Sequence, residues 1–380
     1  MRYGLIGTGM MGREHMRNIA LIPDAEIAAI ADPDEEMREC ALALARELGH
    51  DPRVSAHHDA LLARERAVDA LVIAAPNHLH HAIMVDALAS GLPILCEKPL
   101  ATTEGDAWDL VAAGEERGAP VWVAMEYRYM PPVATLIDAV RDGTLGTVHM
   151  VSLREHRFPF LPKVGSWNRL NRHTGGTMVE KCCHFFDLMR VIVGAEPRRL
   201  YASGGQAVNH LEDVTAGERA DVIDHGFVVV DFANGVRASL DLCMFAEGSY
   251  WQEEIAVTGS VAKIEARVPG PSRFWPGAGE REAELVLSPR MEKGPVRVPV
   301  PVDPTVLSAG DHHGSTFYQH RAFARMVRDG GRPAVTLRDG AIAVSMGLAA
   351  ERSVATGEVV TMEETRRARP GEGEPLARAG

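Results

Sequence analysis

The chain has 380 residues, 46% hydrophobic and 24% charged, so it can bury a large core, and its length favours two domains. Its formal net charge of -12 disfavours nucleic acid and anionic membranes as partners, which leaves small molecules. No stretch stays apolar for the roughly 18 residues that a membrane span needs, and the 5 cysteines lack the spacing of a disulfide framework. We therefore expect a cytoplasmic protein.

Short apolar runs alternate with helix-length amphipathic segments in the first third of the chain. Such alternation predicts a parallel sheet covered by helices on both faces. The predicted strands are YGLIG, EIAAIA, DALVIAA, PILCE and VWVAM, and the predicted helices cover 10–21, 34–48 and 82–90. We assign residues 1–124 to this first, α/β domain.

Strand patterns dominate from residue 148 onward. The runs VHMVSLREH, GFVVVDFANGVRASLDLCMF, EIAVTG and ELVLS predict a large, open and mainly antiparallel sheet. Within the second run, Asn234 and Gly235 predict a hairpin turn. Two helices are predicted over 315–329 and 339–356. We expect an α+β domain for substrate binding and oligomerisation over 125–365, then a disordered tail at 366–380.

The glycine-rich turn after the first predicted strand has the pattern GxGxxG. Such glycines permit a tight turn, a close approach of the backbone to a pyrophosphate, and packing of the helix on the strand. The following helix offers free N–H groups and the positive end of its dipole. We therefore expect a Rossmann domain that binds a dinucleotide through Gly7, Thr8, Gly9, Met10, Met11 and Gly12.

An acidic residue, Asp32, ends the second predicted strand, 20 residues after Gly12. A carboxylate at this position accepts hydrogen bonds from the adenosine ribose hydroxyls and repels a 2′-phosphate. The sequence therefore predicts NAD rather than NADP as the cofactor.

The stretch EKCCHFFD, residues 180–187, combines cysteines, a histidine and carboxylates. On an ideal helix Glu180, His184 and Asp187 share one face, which fits either a solvated polar stripe or a site. Because Cys182 lies on the opposite face, it cannot join His184 around one ion, and we predict no metal site. Lys181, near the apolar side, is expected to extend its ammonium group to solvent.

Lys98 follows the strand PILCE at the expected carboxyl edge of the parallel sheet, where α/β folds bind ligands. Partial desolvation and a cationic nicotinamide ring nearby would lower its pKa from about 10.4 towards a value useful for proton transfer. The alternative is an exposed loop lysine.

The order of these motifs resembles the Gfo/Idh/MocA oxidoreductases, the family of glucose-fructose oxidoreductase and inositol dehydrogenase. The resemblance spans nearly the whole chain and rests on GTGMMG with Asp32, APNHLHH, EKP, MEYRY and TGGTMVEKCCHFFDLM. It implies a nicotinamide-dependent enzyme that acts on sugars or cyclic polyols. It also implies a homodimer or homotetramer joined through the open sheet.

The resemblance implies roles position by position. Lys98 matches the catalytic lysine, His184 the catalytic histidine, and Asp187 an acid one turn later. Glu180 and Cys182 replace the family's Asp and Gly, and we expect Glu180 to hold a substrate hydroxyl and to orient His184 for catalysis. The implied cofactor contacts outside the glycine turn are Ala75, Asn77, His80, Glu97 and Lys98, with a cis peptide bond between Lys98 and Pro99.

Three further side chains are candidates for substrate binding beside Glu180 and His184. Arg128 follows the last strand of the first domain, and His156 lies on VHMVSLREH. Trp167 precedes a glycine pair, and its indole would stack on a sugar face. Core packing of the indole and solvated positions for the basic residues are the alternatives.

Two other functions fit the same motifs. A non-catalytic nicotinamide sensor would bind the dinucleotide without chemistry, although the presence of Lys98 and His184 argues against it. A redox-assisted glycoside lyase or hydrolase would hold NAD tightly and oxidise its substrate only transiently. Glycosides, free inositols and aldoses are all compatible substrates.

Overall fold

The structure of the protein is a computed structural model that describes residues 1–63, 68–115, 117–271, 274, 281–291 and 294–362. The predicted tail at 366–380 lies outside these residues. Two large sheets organise the described chain, one parallel and the other mainly antiparallel. Among the residues described, no helix is long and apolar enough to cross a membrane.

The parallel sheet confirms the predicted Rossmann arrangement. Its strands are β1 (Arg2–Ile6), β2 (Glu26–Ala31), β3 (Arg53–Ser55), β4 (Ala70–Ile73), β5 (Ile94–Glu97) and β6 (Val121–Ala124). Its helices are α1 (Met10–Ala20), α2 (Glu35–Glu47), α3 (His58–Leu62), α4 (His80–Ala89) and α5 (Glu104–Glu115). The strand order is β3-β2-β1-β4-β5-β6, so the connection direction reverses between β1 and β4. The carboxyl ends of these two strands therefore form the crevice in which such sheets bind ligands.

The second sheet is the predicted, mainly antiparallel one. Among its described strands, the single parallel pairing joins the first and the fourth in chain order, Val148–His156 and Arg237–Cys243. Its strands are β7 (Val148–His156), β8 (Pro197–Gly205), β11 (His225–Phe232), β12 (Arg237–Cys243), β13 (Glu253–Gly259), β14 (Ala262–Val268), β15 (Ala283–Pro289), β16 (Val296–Val300) and β17 (Val360–Thr361). A separate ribbon pairs β9 (Val214–Thr215) with β10 (Glu218–Arg219). The sheet order is β16-β15-β14-β13-β7-β12-β11-β8-β17, and the hairpin predicted at Asn234 and Gly235 joins β11 to β12.

Seven α-helices follow β6 in the described part of the chain, and the first, fourth and last contact the second sheet. They are α6 (Pro131–Arg141), α7 (Asn171–Thr174), α8 (Thr177–Glu180), α9 (Cys183–Val193), α10 (Pro304–Ser308), α11 (Ser315–Asp329) and α12 (Leu337–Thr356). Helix α12 contacts β8 and also α5 and β6, so it ties the two sheets together. Exposed apolar side chains occupy strands of the same sheet: Met150, Tyr201, Phe227 and Val229.

The helix predicted around EKCCHFFD is broken into two. Helix α8 ends at Glu180 and α9 begins at Cys183. The break leaves the carbonyl of Glu180 at a helix end, where such groups need partners from outside the helix. Lys181 lies at this junction, is only 3% exposed and pairs with the carboxylate of Glu155 at 2.8 Å. The expectation that Lys181 reaches solvent is therefore wrong, because a buried acid on β7 holds its ammonium group.

Candidate active site

A cleft of about 570 Å³ opens at the carboxyl edge of the parallel sheet and extends towards the helices of the second sheet. Its lining combines the glycine turn, the end of β5 and the segment after β7. Most of the predicted cofactor residues line it: Gly7, Gly9, Met10, Met11, Asp32, Ala75, Asn77, Glu97 and Lys98. The structure thus brings together residues that are up to about 90 positions apart in sequence, as the carboxyl ends of neighbouring parallel strands must.

The glycine turn has the shape that a pyrophosphate needs. Gly7 adopts a φ of 89°, and a Cβ there would come within 2.6 Å of the Ala74 backbone. A Cβ on Gly9 would meet nothing within 4 Å, so the backbone at Gly9 borders open space in the cleft. Helix α1 starts without a side-chain cap, which leaves its first N–H groups for an anion. These features fit the diphosphate of a dinucleotide.

Three of the predicted cofactor residues, Thr8, Gly12 and His80, support the cleft wall instead of lining it. Gly12 packs against the Gly7 carbonyl, where a Cβ would collide. His80 is buried and its two ring nitrogens lie 2.7 Å from the Pro99 carbonyl oxygen and 2.9 Å from that of Ala75. It therefore ties the loop after β4 to the loop after β5. A direct contact of His80 with the cofactor stays a prediction.

The carboxylate of Asp32 lines the far end of the cleft and is held by its own loop. Its Oδ2 accepts hydrogen bonds from the Thr8 backbone N–H at 2.7 Å and the Thr8 hydroxyl at 3.1 Å, and its Oδ1 accepts from the Asp34 N–H at 3.0 Å. A carboxylate fixed in this way is poised to accept from ribose hydroxyls. Negative charge from Asp34, which also lines the cleft, adds to the repulsion of a 2′-phosphate.

We expect Asp32→Ala to lower NAD affinity by about 10- to 100-fold, since a hydrogen bond to a charged group contributes about 1.5–3 kcal/mol. NADP affinity should fall less, so the preference for NAD should narrow. Titration of wild type and variant with NAD and with NADP measures the two affinities. Because the variant also loses the hydrogen bonds from Thr8, its unfolding midpoint is compared with that of wild type as a control. A wild-type preference for NADP, or an unchanged preference in the variant, would refute the role of Asp32.

Lys98 reaches from the first sheet to the broken helix pair. Its peptide bond to Pro99 is cis, as the resemblance implies. Its Nζ donates a hydrogen bond to the Glu180 carbonyl oxygen at 3.1 Å, which caps the end of α8. Burial lowers the pKa of Lys98, but Cys183, Glu126 and further carboxylates outweigh burial, so the net pKa is raised. The prediction that the pKa of Lys98 is lowered is therefore wrong as far as the protein's own groups are concerned. The effect of a bound nicotinamide ring on this pKa stays a prediction.

Glu180 lines the cleft opposite the glycine turn, but a lysine that sequence reasoning missed already contacts it. Lys163 Nζ lies 3.0 Å from Glu180 Oε1 and 4.4 Å from the centre of the Trp167 ring. Lys163 and Trp167 both line the cleft. Glu180 Oε2 is buried and has no hydrogen-bond partner within the described ranges. One carboxylate oxygen is therefore fixed by Lys163, while the other is available to a hydroxyl.

His184 is buried against Tyr127, with its imidazole stacked on the phenol ring at 4.1 Å and an interplanar angle of 5°. Its Nε2 lies 3.4 Å from Oε1 of Glu126, and its Nδ1 has no hydrogen-bond partner in the described part of the chain. Burial lowers the pKa of His184 well below its usual value, and the charges of Lys98 and Lys181 lower it further. The sequence predicted that Glu180 would be the carboxylate beside His184. In the structure that carboxylate is Glu126.

Two predicted substrate contacts lie elsewhere. Arg128 forms a two-pronged ion pair with the fully buried Asp187 and donates to the Ala334 carbonyl oxygen. His156 pairs with Asp241 at 3.1 Å on the open face of the second sheet, because strand residues alternate and the buried positions of β7 include Glu155. These positions correct the prediction of direct substrate contact for Arg128 and His156.

A buried polar cluster behind Tyr127 was not predicted. Glu155 and Glu253 are register partners on β7 and β13; the Tyr127 hydroxyl contacts both carboxylates, and Lys181 pairs with Glu155. Burial and the neighbouring Glu155 raise the pKa of Glu253 to about 7. The burial of Glu155 could have been predicted from the sequence. Val151, Leu153 and Glu155 follow one another at intervals of two residues, which puts all three on the inner face of the strand.

Comparisons with known proteins agree with this geometry. A family model described as the NAD-binding Rossmann fold of the Gfo/Idh/MocA oxidoreductase family matches residues 1–125, and the model of its C-terminal alpha/beta domain matches residues 137–362. A myo-inositol 2-dehydrogenase of Thermotoga maritima is 26% identical over 365 residues, 96% of this chain and 99% of that one. The rhizopine catabolism protein MocA of Rhizobium meliloti is 34% identical over 294 residues, 77% and 84% of the two chains.

Solved structures share the fold over nearly the whole chain. A probable dehydrogenase from Thermotoga maritima has a TM-score of 0.76 at 24% identity, covering 96% of this chain and 100% of that one. A levoglucosan dehydrogenase in complex with NADH and levoglucosan has a TM-score of 0.78 at 21% identity, covering 95% and 99%. Together with the two family models, these likenesses show that the chain belongs to the Gfo/Idh/MocA family and is an NAD-binding oxidoreductase.

Proposed function

We propose that the protein is an NAD-dependent dehydrogenase that oxidises a secondary alcohol of a sugar, a glycoside or a cyclic polyol. The observation that carries this is the contact of Lys98 Nζ with the Glu180 carbonyl oxygen, which sets an ammonium group at the junction of the helices that bear Glu180 and His184. Relatives named inositol dehydrogenases support the substrate class. Residues 1–124 would bind the cofactor and residues 125–365 the substrate.

The protonation states of Lys98 and His184 assign the proton-donor role to the lysine and the base role to the histidine. The raised pKa of Lys98 keeps an ammonium group that donates to the alcohol oxygen and stabilises the negative charge that develops there. The depressed pKa of His184 keeps a neutral imidazole, whose free Nδ1 accepts the hydroxyl proton. Bound NAD supplies the hydride acceptor for the carbinol hydrogen.

The walls of the cleft suit a polyhydroxylated ring. Glu180 Oε2 would accept a hydrogen bond from a second hydroxyl, while Lys163 holds the other oxygen of that carboxylate. Trp167 offers an aromatic surface to the apolar face of a sugar, and Lys163 restrains the indole by lying over its ring. We infer that these three side chains bind and orient the substrate.

The test is incubation of the purified protein with NAD and a panel of inositols, aldoses and glycosides, with nicotinamide reduction as the readout. NADH should accumulate with at least one member of the panel and in proportion to the ketone formed. Consumption of a glycoside without net NADH, or dinucleotide binding without turnover of any alcohol, would contradict the proposal.

We further infer a cytoplasmic homodimer or homotetramer. The cysteines on the described chain, Cys40, Cys96, Cys182, Cys183 and Cys243, are free thiols, which suits a reducing compartment. Apolar side chains on the second sheet are strongly exposed, with Phe227 at 63% and Met150 at 61%. Patches of this kind usually mark protein interfaces, and a second copy of the chain is the occupant that the family resemblance implies.

Phe227→Glu should therefore dissociate the oligomer, since a charge at the centre of an apolar interface would be buried without a partner. Light scattering of wild type and variant at matched concentration measures the mass. Val261→Glu is a matched control, because Val261 is nearly as exposed as Phe227, at 57%, but lies in the turn between β13 and β14. A monomeric wild type, or an unchanged mass for Phe227→Glu, would count against the interface.

A further inference from the structure

We propose that Glu126 is a positioning residue that sets the tautomer of His184, so that one proton on Glu126 switches the base off. The inference rests on the proposed role of His184 as the base and goes beyond it. Nothing in the pattern of MEYRY singles out this acid. Its importance follows from where the fold places its carboxyl group.

The carboxyl group of Glu126 is aimed at the imidazole from a fixed backbone. Glu126 opens the single helical turn Glu126–Tyr129 directly after β6 and is 1% exposed. Its Oε1 lies 3.4 Å from His184 Nε2 without forming an aligned hydrogen bond, and neither carboxylate oxygen has a hydrogen-bond partner among the residues that are described. A buried acceptor without a partner is costly, so Nε2–H of His184 is the donor that this carboxylate needs.

Tyr127, the next residue, fixes the plane of the imidazole. The two rings are stacked almost in parallel, and the Tyr127 hydroxyl is held by Glu155 at 3.1 Å and by Lys181. The imidazole therefore cannot tilt away from Glu126 without losing this stacking. Adjacent residues of one turn thus control both the plane of the ring and the direction of its Nε2.

Charged groups from every neighbouring element act on this pair. Glu97 and Lys98 approach from the end of β5, Lys181 from the junction of α8 and α9, Arg157 from the end of β7, and His312 from the segment between α10 and α11. Burial and then Glu97 raise the pKa of Glu126 to about 7, against opposing effects of His312 and Lys98. Since the pKa of His184 lies far lower, Glu126 is the member of the pair that titrates near neutrality.

The protonation state of Glu126 decides which ring nitrogen of His184 can act as a base. An ionised Glu126 accepts a hydrogen bond from Nε2–H, which keeps the ring proton on Nε2 and leaves the lone pair on Nδ1 free to take a proton from the substrate. A protonated Glu126 instead donates to Nε2, so the ring proton moves to Nδ1 and blocks it. Neutral His184 is present in both states, but only the first can accept the hydroxyl proton.

The test is the pH dependence of kcat/KM for alcohol oxidation. Wild type should lose activity by about tenfold per pH unit below the pKa of Glu126, as a single protonation requires. Glu126→Gln should lack this acid limb, and Glu126→Asp should keep a limb with a shifted midpoint. An acid limb that is the same in all three proteins would overturn the proposal.

A matched control is Glu351→Gln, because Glu351 is partly buried and has a pKa also raised to about 7, but it accepts a hydrogen bond from the Met178 backbone N–H and does not contact His184. Its acid limb should equal that of wild type.

Nitrogen-15 NMR of the His184 imidazole gives a readout without turnover. In wild type, the ring proton of His184 should move from Nε2 to Nδ1 as the pH falls. In Glu126→Gln it should stay in place. If the proton does not move in wild type, the inference is overturned even if the protein oxidises alcohols. A lack of alcohol oxidation with an intact tautomer change would overturn only the proposed function.

Discussion

Replacing Lys98 with alanine is expected to lower turnover by about 10²- to 10⁴-fold, the range usual for loss of a positioned acid–base group. The variant loses the ammonium group that would stabilise the developing alkoxide. Steady-state kinetics with an alcohol identified by the panel would show the loss in kcat. NAD affinity, measured by calorimetric titration, should change by only a few fold, because the glycine turn and Asp32 supply most of the binding.

A suitable control for Lys98→Ala is Lys263→Ala, which removes an exposed lysine paired with Glu265 on the second sheet. This control should retain wild-type kcat and NAD affinity. If Lys98→Ala turned over normally, or if it lost NAD binding and turnover to the same degree, Lys98 would be a structural or cofactor residue and not part of the chemistry.

Replacing Arg128 with methionine should destabilise the protein by about 3–5 kcal/mol, because Asp187 would be left as an unpaired carboxylate in the core. Burial opposes the charge on Arg128, but the Asp187 carboxylate outweighs burial and raises the pKa of Arg128. For Asp187, burial raises the pKa and Arg128 opposes this rise, so the loss of Arg128 removes the main group that favours its charged form. Thermal and urea unfolding measure the loss, which should appear as a lower midpoint.

The double variant Arg128→Met with Asp187→Leu provides the matching control. Exchange of a whole buried ion pair for apolar side chains is often close to neutral, so the second change should recover most of the lost stability. If Arg128→Met instead kept wild-type stability and raised KM alone, the sequence-based assignment of Arg128 to substrate binding would be restored.

Features with a local physical signature could be predicted from the sequence. The glycine turn, Asp32 and the Lys98–Pro99 segment each follow a strand whose apolar run is unmistakable, and parallel strands bring their carboxyl ends to one edge. The cleft lined by Gly7, Asp32 and Lys98 follows from these rules. The two-sheet architecture follows from alternation of strands and helices before residue 124 and from strand runs after residue 148.

Features that depend on pairing across the fold could not be predicted. His156 was assigned to the site although the strand's period of two puts Glu155, in phase with the buried Leu153, on the inner face. Lys181 was expected at the surface because the acid that holds it, Glu155, is distant in sequence. In the same way, Arg128 was assigned to the substrate because its ion pair with Asp187 forms only when the turn Glu126–Tyr129 meets α9.

The break between α8 and α9 explains the largest change to the site. A continuous helix would have kept the Glu180 carbonyl inside its own hydrogen-bond ladder. The break makes that carbonyl a partner for Lys98 and separates Glu180, which lines the cleft, from His184, which meets Glu126. No residue in the stretch is a strong helix breaker, and therefore the pattern alone could not show it.

The most direct test of the account is a crystal structure of the protein with NAD and a reactive polyol. One substrate hydroxyl should lie within about 2.6–3.2 Å of both Lys98 Nζ and a ring nitrogen of His184, with its carbinol carbon against the nicotinamide ring. A substrate bound with that hydroxyl in contact with neither side chain, or with its carbinol carbon turned away from the ring, would contradict it.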